Sequence, residues 1–467
     1  MKDRFYITTS IAYTNSVPHV GFALELVQAD VIARYQRILG KDVLFLTGTD
    51  EHGAKIVKAA EKAGKNVSDF TDEMSLKFKE LAKILDISND DFIRTTDEKR
   101  HWPTVENIWK KLESQGDIYK KKYKGLYCVG CESFVKEKDL VNGECLIHHQ
   151  KPEEVQEDNY FFKLSKYADK VKSSLDKEEI KIIPSPRRNE ILSFIEQGIE
   201  DISCSRSKEN LKWGIPVPGD DEQIIYIWFE ALINYISALE SSGRSDFWPA
   251  DIHCIGKDIF RFHSLLWPAM LIAIGSKVPK SIFVHGYITS NGEKMSKSLG
   301  NVIDPFELVK KYGLDPVRYY LLREFSPTED GGFTYEKFED RYNSDLAKGL
   351  GNLVSRVLKL LEKVEAGSGS DLDSDIKKAK LNCERLLGEL KFNEALASIW
   401  SLIGSCDKYI ETVKPWENTE KKKEEIGSLI KAIGEIEVLL RPFLPKTAEK
   451  IKEQLKRKKA EPLFPRI

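Results

Sequence analysis

The chain has 467 residues, 41% of them hydrophobic and 31% charged, with a formal net charge of −2. That balance excludes a disordered chain, and the near-zero charge excludes a uniformly basic nucleic-acid binder, so any RNA surface must be a local patch. No apolar run approaches the ~20 residues that span a bilayer, and the start MKDRFYITTS lacks the layout of a secretory signal, so a cytoplasmic protein with no membrane partner is expected. At ~100–200 residues per domain, the length predicts three or four domains.

Residues 4–9 (RFYITT) are rich in β-branched and aromatic types and predict a strand, followed by a loop, SIAYTNSVP. From His19 the pattern turns helical, with Val20, Leu24, Val27 and Val31 roughly along one face and Gly40 as the stop. VLFLTG at 43–48 predicts a second buried strand, and a strand–helix–strand of this length implies a parallel pair with a right-handed crossover. A second such unit comes late: DIHCIG at 251–256 and SIFVHGYI at 281–288 read as strands, with a helix over 258–274. One α/β, doubly wound parallel sheet built from two distant segments is therefore expected, with residues 115–180 as an insertion. After residue 340 strand signals vanish and amphipathic helices take over, with a loop at 366–375 (AGSGSDLDSD).

Three groups of residues carry chemistry. The turn Pro18-His19-Val20-Gly21 sits where a parallel strand feeds a helix. Backbone N–H groups and the helix dipole favour an anion there, Gly21 allows close approach, and His19 can donate to a phosphate. A His before a helix also reads as a cap or a packing residue. The run Lys294-Met295-Ser296-Lys297-Ser298 places two lysines around a hydroxyl in a Gly-bounded loop, suited to closing over a polyphosphate, or to lying solvated on the surface. Of the seven cysteines, Cys128, Cys131 and Cys145 combine with His148 in two short turns of paired ligands. This set predicts one tetrahedral, structural Zn²⁺ with no open position; His149 is an alternative fourth ligand. The remaining cysteines, at 204, 254, 383 and 406, read as small buried apolar residues. YIWFEALINY at 226–235 puts Trp228, Ala231, Leu232 and Tyr235 at near-helical spacing, which by itself reads as core.

Together, a His-x-Gly turn after the first strand and Lys-Met-Ser-Lys-Ser after the last resemble the class I aminoacyl-tRNA synthetases. FLTGTDEHG at 45–53, GLYCVGCE at 125–132, NYFF at 159–162, WGIPVP at 213–218, IGKDI at 255–259, FVHGY at 283–287 and GNLVSR at 351–356 are similar to the methionyl-tRNA synthetase family. The resemblance runs over essentially the whole chain.

It implies a Rossmann-like catalytic domain in two halves (1–114 and 181–290), split by a zinc-bearing connective insertion (115–180). A linker domain carrying the lysine loop (291–340) and an α-helical anticodon-binding bundle (341–467) would follow. It implies ATP with Mg²⁺, L-methionine and tRNA(Met) as ligands, with His19, Lys294 and Lys297 catalytic and Gly21, Met295, Ser296 and Ser298 completing the ATP site. It places Ile11, Tyr13, Trp228, Ala231, Leu232, Tyr235, Ile259, His263 and Trp267 around methionine, with Asp50 holding the ammonium group. Asn352, Arg356 and Trp416 would read the anticodon: an aromatic stacks an unpaired base while Asn and Arg bond its edge.

The implied reaction forms methionyl-adenylate and then transfers the acyl group to the terminal ribose, without a covalent nucleophile. One departure is plain. The family's first motif usually ends in a second His, here Phe22, which cannot donate to phosphate. No domain follows the basic stretch near residue 460, so a monomer is expected.

Overall fold

The computed structural model describes residues 3–128, 133–135, 137, 140–145, 150–290, 293–294, 302–417, 421–465 and 467. The chain divides into two compact units: Met1–Pro18, Lys41–Leu81 and Asn89–Val284 form one, and His19–Gly40, Ala82–Ser88 and His285–Ile467 form the other.

The first unit is built on a six-stranded sheet in the order Asp91–Arg94, Asp42–Asp50, Arg4–Tyr13, Ile252–Gly256, Ser281–His285, Lys181–Ile183. Arg4–Tyr13 pairs in parallel with Asp42–Asp50 on one side and Ile252–Gly256 on the other. The opening strands of the two segments therefore lie side by side at the centre, and the order runs outward from there. That is the switch point of a doubly wound sheet, where such folds bind ligands at the strands' carboxyl ends. Large apolar side chains, among them Trp109, Phe162, Phe229 and Trp267, are fully buried around the sheet.

The first strand is longer than its sequence suggests, running to Tyr13 rather than stopping at residue 9. Its pairing with Asp42–Asp50 shifts register between Thr8 and Ile11, after which Ile11, Ala12 and Tyr13 face Gly48, Thr49 and Asp50. A shift of this kind is set by the partner strand and leaves no local signal. Gly48 is needed there: a Cβ at this position would lie 2.2 Å from the Ile93 carbonyl oxygen.

The expected helix over 258–274 is present without a break from Lys257 to Ala273, but it opens in a 3₁₀ turn at Lys257–Ile259 and widens to a π segment at Phe262–Leu266 before the α-helical Trp267–Ala273. Pro268 has no N–H to give to Ser264, and the Trp267 N–H reaches back to the Phe262 carbonyl, which widens the turn. The insertion supplies three strands of a four-stranded antiparallel sheet, completed by Ile202–Ser203, and its long ladder pairs Ile118–Cys128 with Glu153–Phe162.

The second unit contains the helix Val20–Ile38, in which every residue from Ala23 to Ala33 is buried. Its charged members are all paired. Glu25 meets His285 Nε2 at 2.8 Å, and Asp30 receives Arg318 at 2.7 Å, Arg34 at 2.7 Å and two hydrogen bonds from Ser88. Burial alone would raise the Asp30 carboxyl; the two guanidiniums and Ser88 overcome this and hold it below its ordinary range. Arg318, fully buried, also donates to the carbonyls of Leu85, Pro442 and Phe443. One side chain thus ties this helix to Leu314–Arg323 and to the turn between the helices Lys422–Leu440 and Pro445–Arg457. Asn352–Leu361, Asp373–Gly388 and Phe392–Val413 complete the bundle, as the loss of strand signals after residue 340 leads one to expect.

Candidate active site

In the first unit, a small cavity opens at the carboxyl ends of the neighbouring strands Arg4–Tyr13 and Asp42–Asp50. Ile11 and Asp50 come to it from the strands, Trp228, Ala231 and Tyr235 from the short helices Ile227–Ala231 and Asn234–Ser241, Leu232 from the turn between them, Ile259 from the 3₁₀ turn and His263 from the π segment. The stripe that by itself reads as core is therefore pocket wall. Its residues are split over two helices because the chain makes a turn at Leu232–Ile233.

Polarity in the cavity is ordered by hydrogen bonds. The Ile259 carbonyl can only accept, so His263 Nδ1, 3.0 Å away, carries the proton; in the neutral ring Nε2 then accepts from the Tyr235 hydroxyl at 2.7 Å. Beneath them His253 stacks on Tyr235 at 4.3 Å between ring centroids and bonds Thr8 Oγ1 at 2.8 Å. Burial, reinforced by the proximity of His263, pushes the His253 pKa well down, which keeps that ring neutral. Asp50 is 2% exposed, and its backbone carbonyl is held by the N–H and hydroxyl of Thr14.

Two of the expected residues stand outside the lining. Trp267 is fully buried in the layer behind, 6.0 Å from the Tyr235 ring, and Tyr13 packs beside Ile56 with Lys55 over its face. Two lining residues went unnoticed in the sequence, Ser10 and Asn234. Each adjoins an expected site residue, Ile11 or Tyr235; Asn234 is a polar residue inside an apolar run, whereas Ser10 follows two threonines and carries no such signal.

In the second unit, His19 is the N-cap of Val20–Ile38, and its Nδ1 accepts from the Gly21 N–H at 3.0 Å. The Val20 N–H donates to the Ile303 carbonyl, 3.2 Å away, so the start of the helix is joined to the segment just after the lysine loop. The backbone N–H groups expected to serve an anion at this turn are thus engaged at Val20 and Gly21. The cap also fixes the remaining proton of a neutral His19 on Nε2, making that nitrogen a donor. Phe22, half-buried, gives its N–H to the His19 carbonyl within the first turn. Lys294 ends a two-residue strand paired with Ile288–Ser290. Met295, Ser296, Lys297 and Ser298 lie outside the described residues.

Cys128 and Cys145 end strands of the insertion and are 1% and 4% exposed. Cys131, His148 and His149 lie outside the described residues, among which no group of three or more His, Cys, Asp or Glu could hold a metal ion. In the bundle, Asn352 and Arg356 share a face one turn apart, and the Arg356 guanidinium carbon lies 5.9 Å from the centre of the Trp416 ring. Trp416 is 49% exposed and so does not plug the bundle. Lys414, in the left-handed conformation, ends the preceding helix, and the buried Pro415 anchors the turn that holds the indole outward. Among the described residues no helix is long and apolar enough to cross a membrane.

A family model described as tRNA synthetases class I (M) matches residues 5–145 and 134–358, and one described as Anticodon-binding domain of tRNA ligase matches residues 371–464. The methionine–tRNA ligase of Caldanaerobacter subterraneus subsp. tengcongensis is 44% identical over 476 residues, covering 97% of this chain and 74% of that one. The chain belongs to the class I methionyl-tRNA synthetase family. The methionine–tRNA ligase of Brucella suis biovar 1 is 40% identical, covering 96% of this chain and 91% of that one. The structure of Mycobacterium tuberculosis methionyl-tRNA synthetase in complex with methionyl-adenylate superposes with a TM-score of 0.91 at 36% identity, covering 99% of this chain and all of that one. The synthetase match takes in the parallel sheet and its cavity, and the anticodon-binding match takes in the helices after Asp371.

Proposed function

We infer that this chain is a methionine–tRNA ligase that works through methionyl-adenylate. The observation that carries the reading is the cavity: a largely apolar wall facing one buried carboxylate, Asp50, at the carboxyl end of the parallel strand Asp42–Asp50. Methionine needs an apolar, adaptable slot for its thioether and an anion for its ammonium group. Ile11, Trp228, Ala231, Leu232, Tyr235, Ile259 and His263 supply the first, Asp50 supplies the second, and Tyr13 and Trp267 back the wall.

In the first step the methionine carboxylate attacks the α-phosphorus of ATP and pyrophosphate leaves. In the second the 2′ hydroxyl of the terminal ribose of tRNA(Met) attacks the acyl carbon and AMP leaves. Neither step needs a covalent intermediate on the protein; rate comes from positioning and from charge placed on the phosphate oxygens. The His19 Nε2 proton and the Lys294 and Lys297 ammonium groups serve that charge, with Gly21, Met295, Ser296 and Ser298 around the nucleotide and Mg²⁺ accompanying ATP. The engaged N–H groups of Val20 and Gly21 leave this work to His19, Lys294 and Lys297, and Phe22, half-buried, packs in the domain and takes no part in it. Cys128, Cys131, Cys145 and His148 hold one structural Zn²⁺; burial of both described thiols supports this. Asn352, Arg356 and Trp416 read the anticodon.

The test is charging. With ATP, Mg²⁺ and labelled methionine, the protein should methionylate tRNA carrying the CAU anticodon and leave the same tRNA with another anticodon largely uncharged. Equal charging of both would refute the assignment of the bundle face, and charging of neither would refute the function.

A further inference from the structure

Next to the cavity lies a buried polar cluster that the reaction does not use. Glu230 is fully buried, and each of its carboxylate oxygens meets an imidazole: Oε1 is 2.9 Å from His52 Nδ1, and Oε2 is 2.9 Å from His101 Nε2. His101 is fully buried and its other ring nitrogen is 2.8 Å from Ser237 Oγ; His52 is 3% exposed and packs edge-on to Trp213 at 5.7 Å. Burial alone would raise the Glu230 carboxyl; the two imidazoles reverse that and hold it below its ordinary range.

The placement of these groups matters more than their charge. Glu230 lies between the wall residues Trp228 and Ala231, His52 comes two residues after Asp50, and Ser237 lies two residues past Tyr235. The helix that carries Glu230, Ile227–Ala231, has five residues and no side-chain cap. A helix so short has no stability of its own, so tertiary contacts must set its position. A buried ionic group is also a poor way to gain stability, because well-packed apolar residues do as well or better; its best-attested use is to fix register.

We propose that Glu230 is a positioning residue for methionine: gripped by His52 and His101, it fixes the distance between the wall formed by Trp228 and Ala231 and the ammonium anchor Asp50. The proposal rests on reading the cavity as the methionine site.

The test compares Glu230→Gln, Glu230→Asp and Asp50→Asn with the parent in ATP–pyrophosphate exchange, varying methionine and ATP separately. Glu230→Gln keeps the shape but sets an amide N–H₂ against one ring, so one charged hydrogen bond is lost. The expected result is a methionine KM raised about 10-fold or more, with kcat and the KM for ATP within about 2-fold of the parent. Glu230→Asp, which keeps the charge, should recover part of the KM. His52→Gln added to Glu230→Gln should raise the methionine KM by less than the product of the two single effects. An unchanged methionine KM in Glu230→Gln, alongside a raised one in Asp50→Asn, would overturn the proposal and leave the site reading intact. An unchanged KM in Asp50→Asn would overturn the site reading itself. A parallel collapse of kcat, both KM values and melting temperature in Glu230→Gln would reduce the cluster to ordinary structure and refute positioning.

Discussion

Trp416 offers the sharpest separation between binding and folding. Its ring is 49% exposed and carries the Arg356 guanidinium at 5.9 Å, while Arg356 is itself held by Glu411 at 2.6 Å. Fully burying an aromatic side chain of this class is worth ~1.5–3 kcal/mol, so the half that is covered contributes only about 1–1.5 kcal/mol. The exposed cation–π contact adds ~0.5–1 kcal/mol. Trp416→Ala should therefore cost the fold about 2.5 kcal/mol at most, too little to unfold the bundle. If the ring stacks an anticodon base, the same change removes ~1–3 kcal/mol of tRNA binding, or about 5- to 150-fold in kcat/KM for charging. The assay is charging of tRNA(Met) beside tRNA-independent pyrophosphate exchange, with the melting temperature measured on the same samples. Charging should fall while exchange stays within about 2-fold of the parent. A matched loss of both activities, or charging at the parent rate, would refute the stacking role.

The remaining predictions are more local. Protein purified without chelator should contain close to one equivalent of zinc by metal analysis, and Cys128→Ser should lower it; zero metal in the parent would refute the ligand set. Arg318→Ala takes one of two guanidiniums from the buried Asp30 carboxylate and leaves three carbonyls without that donor, and should destabilise the second unit by ~3–5 kcal/mol in chemical denaturation; a loss below about 1 kcal/mol would mean the buried pair does not hold these helices together. His253 has a depressed pKa when folded, against about 6.5 unfolded. Above pH ~6.5 the ring is neutral in both states; below it the unfolded chain takes up a proton that the folded ring refuses, so stability falls by up to about 1.4 kcal/mol per pH unit until the folded ring titrates. The melting temperature should drop between pH 7.5 and 5.5, and His253→Asn should flatten that slope; an unchanged slope would place the titration elsewhere.

Features coded by a few adjacent residues were legible in the sequence. Gly40, with φ of +86°, stops the first helix, and the apolar run at 43–48 is an interior strand of the parallel sheet. The four scattered cysteines, 204, 254, 383 and 406, are all buried. Features set by distant partners were not legible. The extension of the first strand to Tyr13 depends on where Gly48 and Asp50 lie on the neighbouring strand. The Val20 N–H is taken by Ile303, far along the chain. The His52–Glu230–His101 cluster joins positions 178 and 129 residues apart, and each member alone is an unremarkable polar residue. Trp267 was named for the wall and sits one layer behind it, because the π segment before Pro268 turns His263, not the indole, into the cavity.

Amino-acid-dependent ATP–pyrophosphate exchange, run over all twenty amino acids at equal concentration, tests the central claim most directly. The cavity with Asp50 at the strand end, the Tyr235–His263 pair and apolar walls should support exchange with methionine at a kcat/KM at least ~100-fold above leucine, isoleucine, valine and the polar amino acids. One missing or extra methylene supplies ~10- to 200-fold of such discrimination, and the ordered polar pair adds to it. Exchange with another amino acid at a higher kcat/KM than methionine, or no exchange with any of the twenty, would contradict the account.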